Sequence, residues 1–255
     1  MTRRILCFGD SLTWGWIATP EGAPTTRYPY SERWTGVMAA TLGGGYEIIE
    51  EGLNARTTSI DDPVDPRLNG SAYLPTALAS HLPLDLVIIM LGTNDAKSFY
   101  RRSSYEIALG MSKLVGQVLA SAGGLGTVYG APKALFVAPP PLAPLSDPWF
   151  QGMFAGGHDK TADLAKHYRA LASFMKVAFF DAGSVVATAG VDGIHSPRRT
   201  IPIWATRWPA GWQRCSPPRR DPVQGGSIHD RARCLSRAGG GYSGQLCSIE
   251  KRLPG

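Results

Sequence analysis

Little in this chain of 255 residues points to a stapled or membrane-spanning protein. Cysteine is scarce: of four, Cys7 stands alone near the start, and Cys215, Cys234 and Cys247 lie far apart near the end. Spacings that wide exclude a CxxC metal knuckle, and no HExxH or clustered Cys and His suggests a metal. No run approaches the ~18 apolar residues of a transmembrane helix. The start, MTRRILCFGDS, has no apolar stretch long enough for a secretory signal, so a cytoplasmic location is expected. Charged residues make up 18% and hydrophobic residues 44%. That composition excludes a disordered chain, a collagen and a coiled coil, and leaves a globular protein that needs no disulfide or metal to hold a core. No internal repeat is present.

The net charge of +6 is unevenly spread. Residues 1–195 carry 15 Lys and Arg against 17 Asp and Glu, whereas residues 196–255 carry 11 against 3. The basicity belongs to the last stretch alone, and the chain changes character just after His195.

The first stretch alternates strands with helices. Residues 4–8 (RILCF), 46–50 (YEIIE), 85–91 (DLVIIML), 133–138 (KALFVA) and 177–181 (VAFFD) read as strands, the third as a central strand covered on both faces. Residues 34–42, 104–121 and 159–174 have helical spacing, and Gly43-Gly44-Gly45 stops the first of them. Residues 61–72, rich in Asp, Pro, Asn and Gly, read as a loop. The pattern predicts an α/β fold: a three-layer α/β/α sandwich on a mainly parallel five-stranded sheet, with the ligand at the carboxyl ends of the strands.

Four motifs follow predicted strands. Gly9-Asp10-Ser11-Leu12 puts a serine on a tight turn into a helix, where an α/β hydrolase places its nucleophile. Leu91-Gly92-Thr93-Asn94-Asp95 offers the Asn94 amide as a donor to a developing oxyanion. Gly52-Leu53-Asn54-Ala55-Arg56-Thr57-Thr58 offers a further main-chain N–H. Asp192-Gly193-Ile194-His195 spaces an aspartate to hold an imidazole in one tautomer while its other nitrogen faces a serine. Each has a bland reading: a helix-capping serine, an Asx turn, an ordinary loop, a surface loop. In this order they supply the parts of one acyl-transfer machine.

These motifs resemble the SGNH (GDSL) hydrolases. Over about residues 3–195 the likeness is closer still: ILCFGDSLTWGW, RWTGV, EEGLNARTT, DDPVDPRLNG, YLP, HLPLDLVIIMLGTND and DAGSVV are similar to the mycobacterial-type arylesterases, which also serve as acyltransferases and perhydrolases. The resemblance implies Ser11 as nucleophile, His195 as general base and then acid, and Asp192 as its orienting partner. It implies an oxyanion hole from the N–H of Ser11, the N–H of Ala55 and the side chain of Asn94, with Asp10 as a structural partner of the turn. Many family members have glycine where Ala55 stands; the donor survives that change provided Ala55 does not need φ > 0. The implied enzyme takes small-molecule esters and passes the acyl group to water, an alcohol or peroxide. It needs no cofactor or metal, binds neither nucleic acid nor membrane, and assembles as a homo-oligomer. A carbohydrate acetylesterase, a lysophospholipase-like thioesterase and an inactive binding protein of the same fold stay open as alternatives.

Other residues are less specific. Trp14 and Trp16 are candidates for lining an apolar acyl or alcohol pocket, with plain core as the other reading. Arg56 and Asp62 read as a salt bridge supporting the site or as a solvated pair. Lys97, Arg101 and Arg102 read as a solvated helix start, and His81, His158 and His167 have no evident partner.

The tail, residues 196–255, departs from the family pattern, which continues with a last helix. SPRRTIPIWATRWPAGWQRCSPPRR holds Pro197, Pro202, Pro209, Pro217 and Pro218, which exclude a long helix, among Trp204, Trp208, Trp212 and many arginines. Written in chosen GC-rich codons with one thymine restored before Ser196, the other frame can be read FSAEDNTDLGDALAGRVAALLAAA, which has the spacing of an amphipathic helix. The tail therefore reads as a frameshift product, expected to be poorly ordered, appended to a hydrolase domain of residues 1–195. The competing reading is a genuine basic appendage for nucleic acid or anionic membrane.

Overall fold

Apolar runs bounded by turn residues set the framework. The computed structural model describes residues 2–19, 25–122, 126–188 and 191–196. In chain order its main elements are β1 (Arg3–Gly9), α1 (Ser11–Trp14), α2 (Trp34–Leu42), β2 (Tyr46–Gly52), α3 (Gly70–His81), β3 (Leu86–Met90), α4 (Ser104–Leu119), β4 (Lys133–Ala138), α5 (Pro148–Met153), α6 (Gly157–Met175) and β5 (Ala178–Asp181). The sheet order is β2-β1-β3-β4-β5, and each of these pairings is parallel. Every residue of β3 is buried, as a central strand covered on both faces requires.

Crossovers between parallel strands are right-handed, and the chain leaves β1 in one direction and β2 in the other. This sorts the helices. Leu74 and Leu78 of α3, Ile107 and Met111 of α4, and Leu164 and Tyr168 of α6 pack with Leu6, Phe8, Val87, Ile89 and Phe136. Trp34 and Met38 of α2 pack with Ile5, Cys7, Ile88, Met90, Leu135 and Val137 on the other face. The alternation of side chains along each strand divides the two clusters. The result is the three-layer α/β/α sandwich. The direction of connection reverses between β1 and β3, so their carboxyl ends frame the crevice where such sheets bind ligands.

The predicted strands and the three predicted helices recur within a few residues of their expected ends. Residues 61–72 are a correction: α3 begins inside this stretch, at Gly70. Asn69, read as a turn residue, is its N-cap, and its side chain accepts the N–H of Ser71. Helix α5 was not predicted; Asp147 caps it, accepting the N–H groups of Trp149 and Phe150, and Pro148 begins it. Among the described residues no helix is long and apolar enough to cross a membrane. The tail, residues 196–255, lies outside the described residues except at Ser196.

Candidate active site

Strand β1 delivers its last residues into a turn that only glycine can start. A Cβ on Gly9 would lie 2.0 Å from the Thr13 hydroxyl. Asp10 follows as N-cap of α1, its carboxylate accepting the Leu12 N–H at 3.0 Å. Ser11 is the first helical residue. Its N–H is one of those a helix start leaves without an intrahelical acceptor.

The Ser11 hydroxyl faces the imidazole of His195, with Oγ 2.8 Å from Nε2. On the other edge of the ring, Nδ1 lies 2.6 Å from Asp192 Oδ2. The second Asp192 oxygen accepts the main-chain N–H groups of Ile194 and His195, both at 2.9 Å. Burial pushes the Asp192 carboxyl up, but the hydrogen bonds from His195 and these N–H groups outweigh it and hold the group below its ordinary value. All three residues are buried. The sequence separated them by more than 180 positions; the fold brings them into one hydrogen-bonded line.

The amide of Asn94, just after β3, lies beside the same turn. Its Nδ2 donates to the Arg56 carbonyl at 3.2 Å and to Asp10 Oδ2 at 3.4 Å. Asp10 is almost wholly buried. Burial is the main cause that raises its carboxyl to about 6, against the lowering influence of the Leu12 N–H, His195 and Arg56. Contrary to the expectation, Ala55 sits at φ 65°, the left-handed region that favours glycine; alanine adopts it here, so the N–H is kept at a cost in backbone strain. Among the described residues its N–H has no acceptor.

Trp16 stacks on His195, with centroids 5.7 Å apart and planes at 21°. A pocket opens at Ser11 and His195, walled by Trp16, Tyr28, Trp34, Met90 and Val186 among others. Trp14 does not line it. That ring packs on Trp16 and under the Arg27 guanidinium, 5.4 Å from its centroid. Glu50 supports the pocket wall by accepting from Arg33 at 2.6 Å and Arg27 at 2.9 Å.

Three assignments are corrected. Arg56 does not pair with Asp62: it is buried and donates to main-chain carbonyls, while Asp62 accepts the Tyr100 hydroxyl at 2.5 Å. Lys97 and Arg102 are not a solvated helix start; Lys97 is buried, and Arg102 meets the fully buried Asp95 at 2.5 Å. Only Arg101 of that group is exposed. Asp95 also accepts the Thr58 hydroxyl and N–H, tying the loop after β2 to the loop after β3. The other histidines have partners: His81 with Glu51, His158 with the Leu142 carbonyl and His167 with Asp163. The pocket residues Tyr28, Arg33, Trp34 and Val186 were missed, although RWTGV and DAGSVV, two of the motifs carrying the resemblance, contain three of them.

The description of the GDSL-like lipase/acylhydrolase family matches residues 7–211. The chain belongs to this family. As a GDSL-like acylhydrolase it is a carboxylic ester hydrolase. Among solved structures it is 67% identical to a carbohydrate acetylesterase from Sinorhizobium meliloti, covering 80% of this chain and 95% of that one, with a TM-score of 0.80. It is 65% identical to the native aryl esterase of M. smegmatis over the same shares, with a TM-score of 0.79. A further carbohydrate acetylesterase family member from Sinorhizobium meliloti is 38% identical, covering 80% and 94%, with a TM-score of 0.74. Among the curated proteins nothing matches.

Proposed function

We propose that this acylhydrolase cleaves short-chain acyl esters through an acyl-enzyme on Ser11. The observation that carries this is the unbroken line from Ser11 through His195 to Asp192, at 2.8 and 2.6 Å. Ser11 Oγ attacks the ester carbonyl carbon while its proton passes to His195 Nε2. The tetrahedral oxyanion is met by the N–H of Ser11, the N–H of Ala55 and the Asn94 amide, which exchanges its long contact to Asp10 for the developing charge. His195 returns the proton to the leaving alcohol or phenol. Water then enters, gives its proton to His195 and attacks the acyl carbon; collapse frees the acid and returns the proton to Ser11. An alcohol or peroxide in place of water makes a new ester or a peracid.

The apolar wall of Trp16, Trp34, Met90 and Val186 beside Ser11 supports a short acyl group there. The leaving group is either a phenol or a sugar hydroxyl, since relatives bearing each name are nearly equally similar. Turnover of p-nitrophenyl acetate tests the reading. Burst release of the phenol in proportion to protein, abolished in Ser11→Ala, supports it. A folded chain that binds but releases nothing is the inactive protein of the same fold.

Two further proposals concern the whole chain. It self-associates through α5, where Trp149 is 74% exposed, and through the neighbouring Phe99, 48% exposed; light scattering on the wild type and Trp149→Ser tests this. The hydrolase domain spans residues 1–195, and residues 196–255 arise from a shifted frame; resequencing tests that.

A further inference from the structure

Arg56 is a cation sealed in the core, 2% exposed and without an ion pair among the described residues. Its Nη1 donates to the carbonyl of Gly9 at 3.0 Å and to the carbonyl of Glu51. Those carbonyls lie at the ends of β1 and β2. The guanidinium carbon lies 4.1 Å from the ring centroid of Phe8 and 5.4 Å from that of Tyr73. Burial is the main cause that lowers the group to about 10, which leaves it charged at neutral pH.

The main chain of the same residue reaches the site. The Arg56 N–H closes a turn on the Leu53 carbonyl at 3.1 Å, around Asn54 and the left-handed Ala55. The Arg56 carbonyl holds the Asn94 amide at 3.2 Å. One residue thus touches three segments: the strand end leading into Ser11, the turn presenting Ala55, and Asn94.

We propose that Arg56 is a positioning residue for the oxyanion hole, its guanidinium clamping the ends of β1 and β2 so that the N–H of Ser11, the N–H of Ala55 and the amide of Asn94 converge on one point. This rests on the reading of those three groups as oxyanion donors. A role in stability alone would not call for a cation here. Burying a charge carries a desolvation penalty, and an apolar side chain of similar length is often tolerated as well or better. Methionine could fill the space between Phe8 and Tyr73. It could not hold two carbonyls at a fixed separation. Misplacement of a reacting group by about 1 Å costs on the order of a hundredfold in rate, so a small relaxation of the two strand ends is enough to be seen.

The test compares Arg56→Met and Arg56→Lys with Asn94→Ala and the wild type. Active sites are titrated with diethyl p-nitrophenyl phosphate, so that kcat for p-nitrophenyl acetate is expressed per competent site. Arg56→Met is expected to lose on the order of a hundredfold in kcat with KM changed by less than about threefold, the signature of an interaction made in the transition state. Arg56→Lys, whose ammonium can still donate to both carbonyls but from a shorter and differently placed head, recovers part of that loss. Asn94→Ala added to either variant costs far less than it costs alone, because both act through one hole. Wild-type kcat per titrated site in the Arg56 variants, or losses that add fully with Asn94→Ala, overturns the proposal. Should Arg56→Met not fold, Arg56→Lys carries the same comparisons. An unchanged kcat in Asn94→Ala alone sinks the oxyanion reading itself; a loss there with none at Arg56 sinks only the clamp.

Discussion

The indole of Trp16 lies almost parallel to the imidazole of His195, 5.7 Å away between centroids, and the same indole walls the pocket beside Ser11. We propose that it holds the base in place and limits the acyl chain. Trp16→Ala is expected to lower kcat for p-nitrophenyl acetate on the order of tenfold through looser placement of His195. The same change opens the pocket. Each methylene newly buried contributes ~0.8 kcal/mol, about a fourfold gain in kcat/KM. The preference should shift from acetate toward butyrate and hexanoate esters. An unchanged chain-length profile in the variant would show that acyl groups lie elsewhere.

Asp192→Asn tests the orienting role. The amide oxygen can keep the N–H groups of Ile194 and His195, which Asp192 Oδ1 now accepts. Its NH₂ then faces His195 Nδ1 and requires that nitrogen to accept. The proton is forced onto Nε2, which can no longer take one from Ser11. A loss of ~10³–10⁴ in kcat is expected without a change in fold, read from p-nitrophenyl acetate turnover beside a circular dichroism spectrum. A loss below about tenfold would remove Asp192 from the proton path.

Ser11 and Asn94 were legible because each stands in a short motif directly after a strand, β1 or β3, whereas Asp192 and His195 lie in a loop well beyond β5 and were legible from the spacing of the pair alone. Strand alternation is a local signal, so the sheet and its ligand-bearing end could be read from it. Arg56, Lys97 and Arg102 were misread because a charge is placed in water by default, and only tertiary packing shows that carbonyls and Asp95 enclose them. The pocket wall was missed for a related reason: Tyr28, Met90 and Val186 are distant in sequence and meet only after the crossovers are made. Helix α3 was hidden because Asn69 and Gly70 are turn formers that here cap and start a helix.

Asp10 should make stability depend on pH. Its folded carboxyl titrates at about 6 against an ordinary 3.8, so the folded state binds the proton more tightly than the unfolded one. Stability from this group is greatest below the ordinary value and falls as pH rises toward 6. The cost above that point is roughly 3 kcal/mol. Urea unfolding of wild type and Asp10→Asn at pH 4 and pH 7.5 isolates it. The variant's stability relative to wild type should rise with pH through this window. A pH-independent difference would mean that Asp10 keeps its ordinary titration.

Ala55 bears backbone strain that glycine would relieve. A non-glycine residue in the left-handed region costs roughly 1–2 kcal/mol, and glycine returns about 0.4–1 kcal/mol of that to the unfolded chain. Ala55→Gly is expected to be more stable by up to about 1 kcal/mol and to keep its turnover, since the N–H stays. Ala55→Val should be destabilised, because a β-branched residue tolerates φ 65° poorly. Thermal melts of the three proteins decide it; a glycine variant that melts lower would show that the turn is not strained.

The sheet itself gives reason to restore the last helix. Right-handed crossovers put α3, α4 and α6 on one face. On the other face α2 packs through Trp34 and Met38, with Leu12 of the short α1 beside them, where Ile88, Leu135, Val137 and Phe180 of β3, β4 and β5 also point. In the frame-restored protein, a helix after His195 is expected to cover that second face. The string FSAEDNTDLGDALAGRVAALLAAA, proposed for the shifted frame, has leucines, valine and alanines at the spacing to do so. Burial of each large aliphatic side chain contributes ~1.5–3 kcal/mol, so several would amount to a large part of a typical stability of ~5–15 kcal/mol. The restored protein should melt well above the chain as written and give a higher kcat per titrated site, because His195 gains support from the segment that follows it. Equal melting temperatures and equal turnover would mean that the face is already complete and that residues 196–255 belong to the protein as they stand.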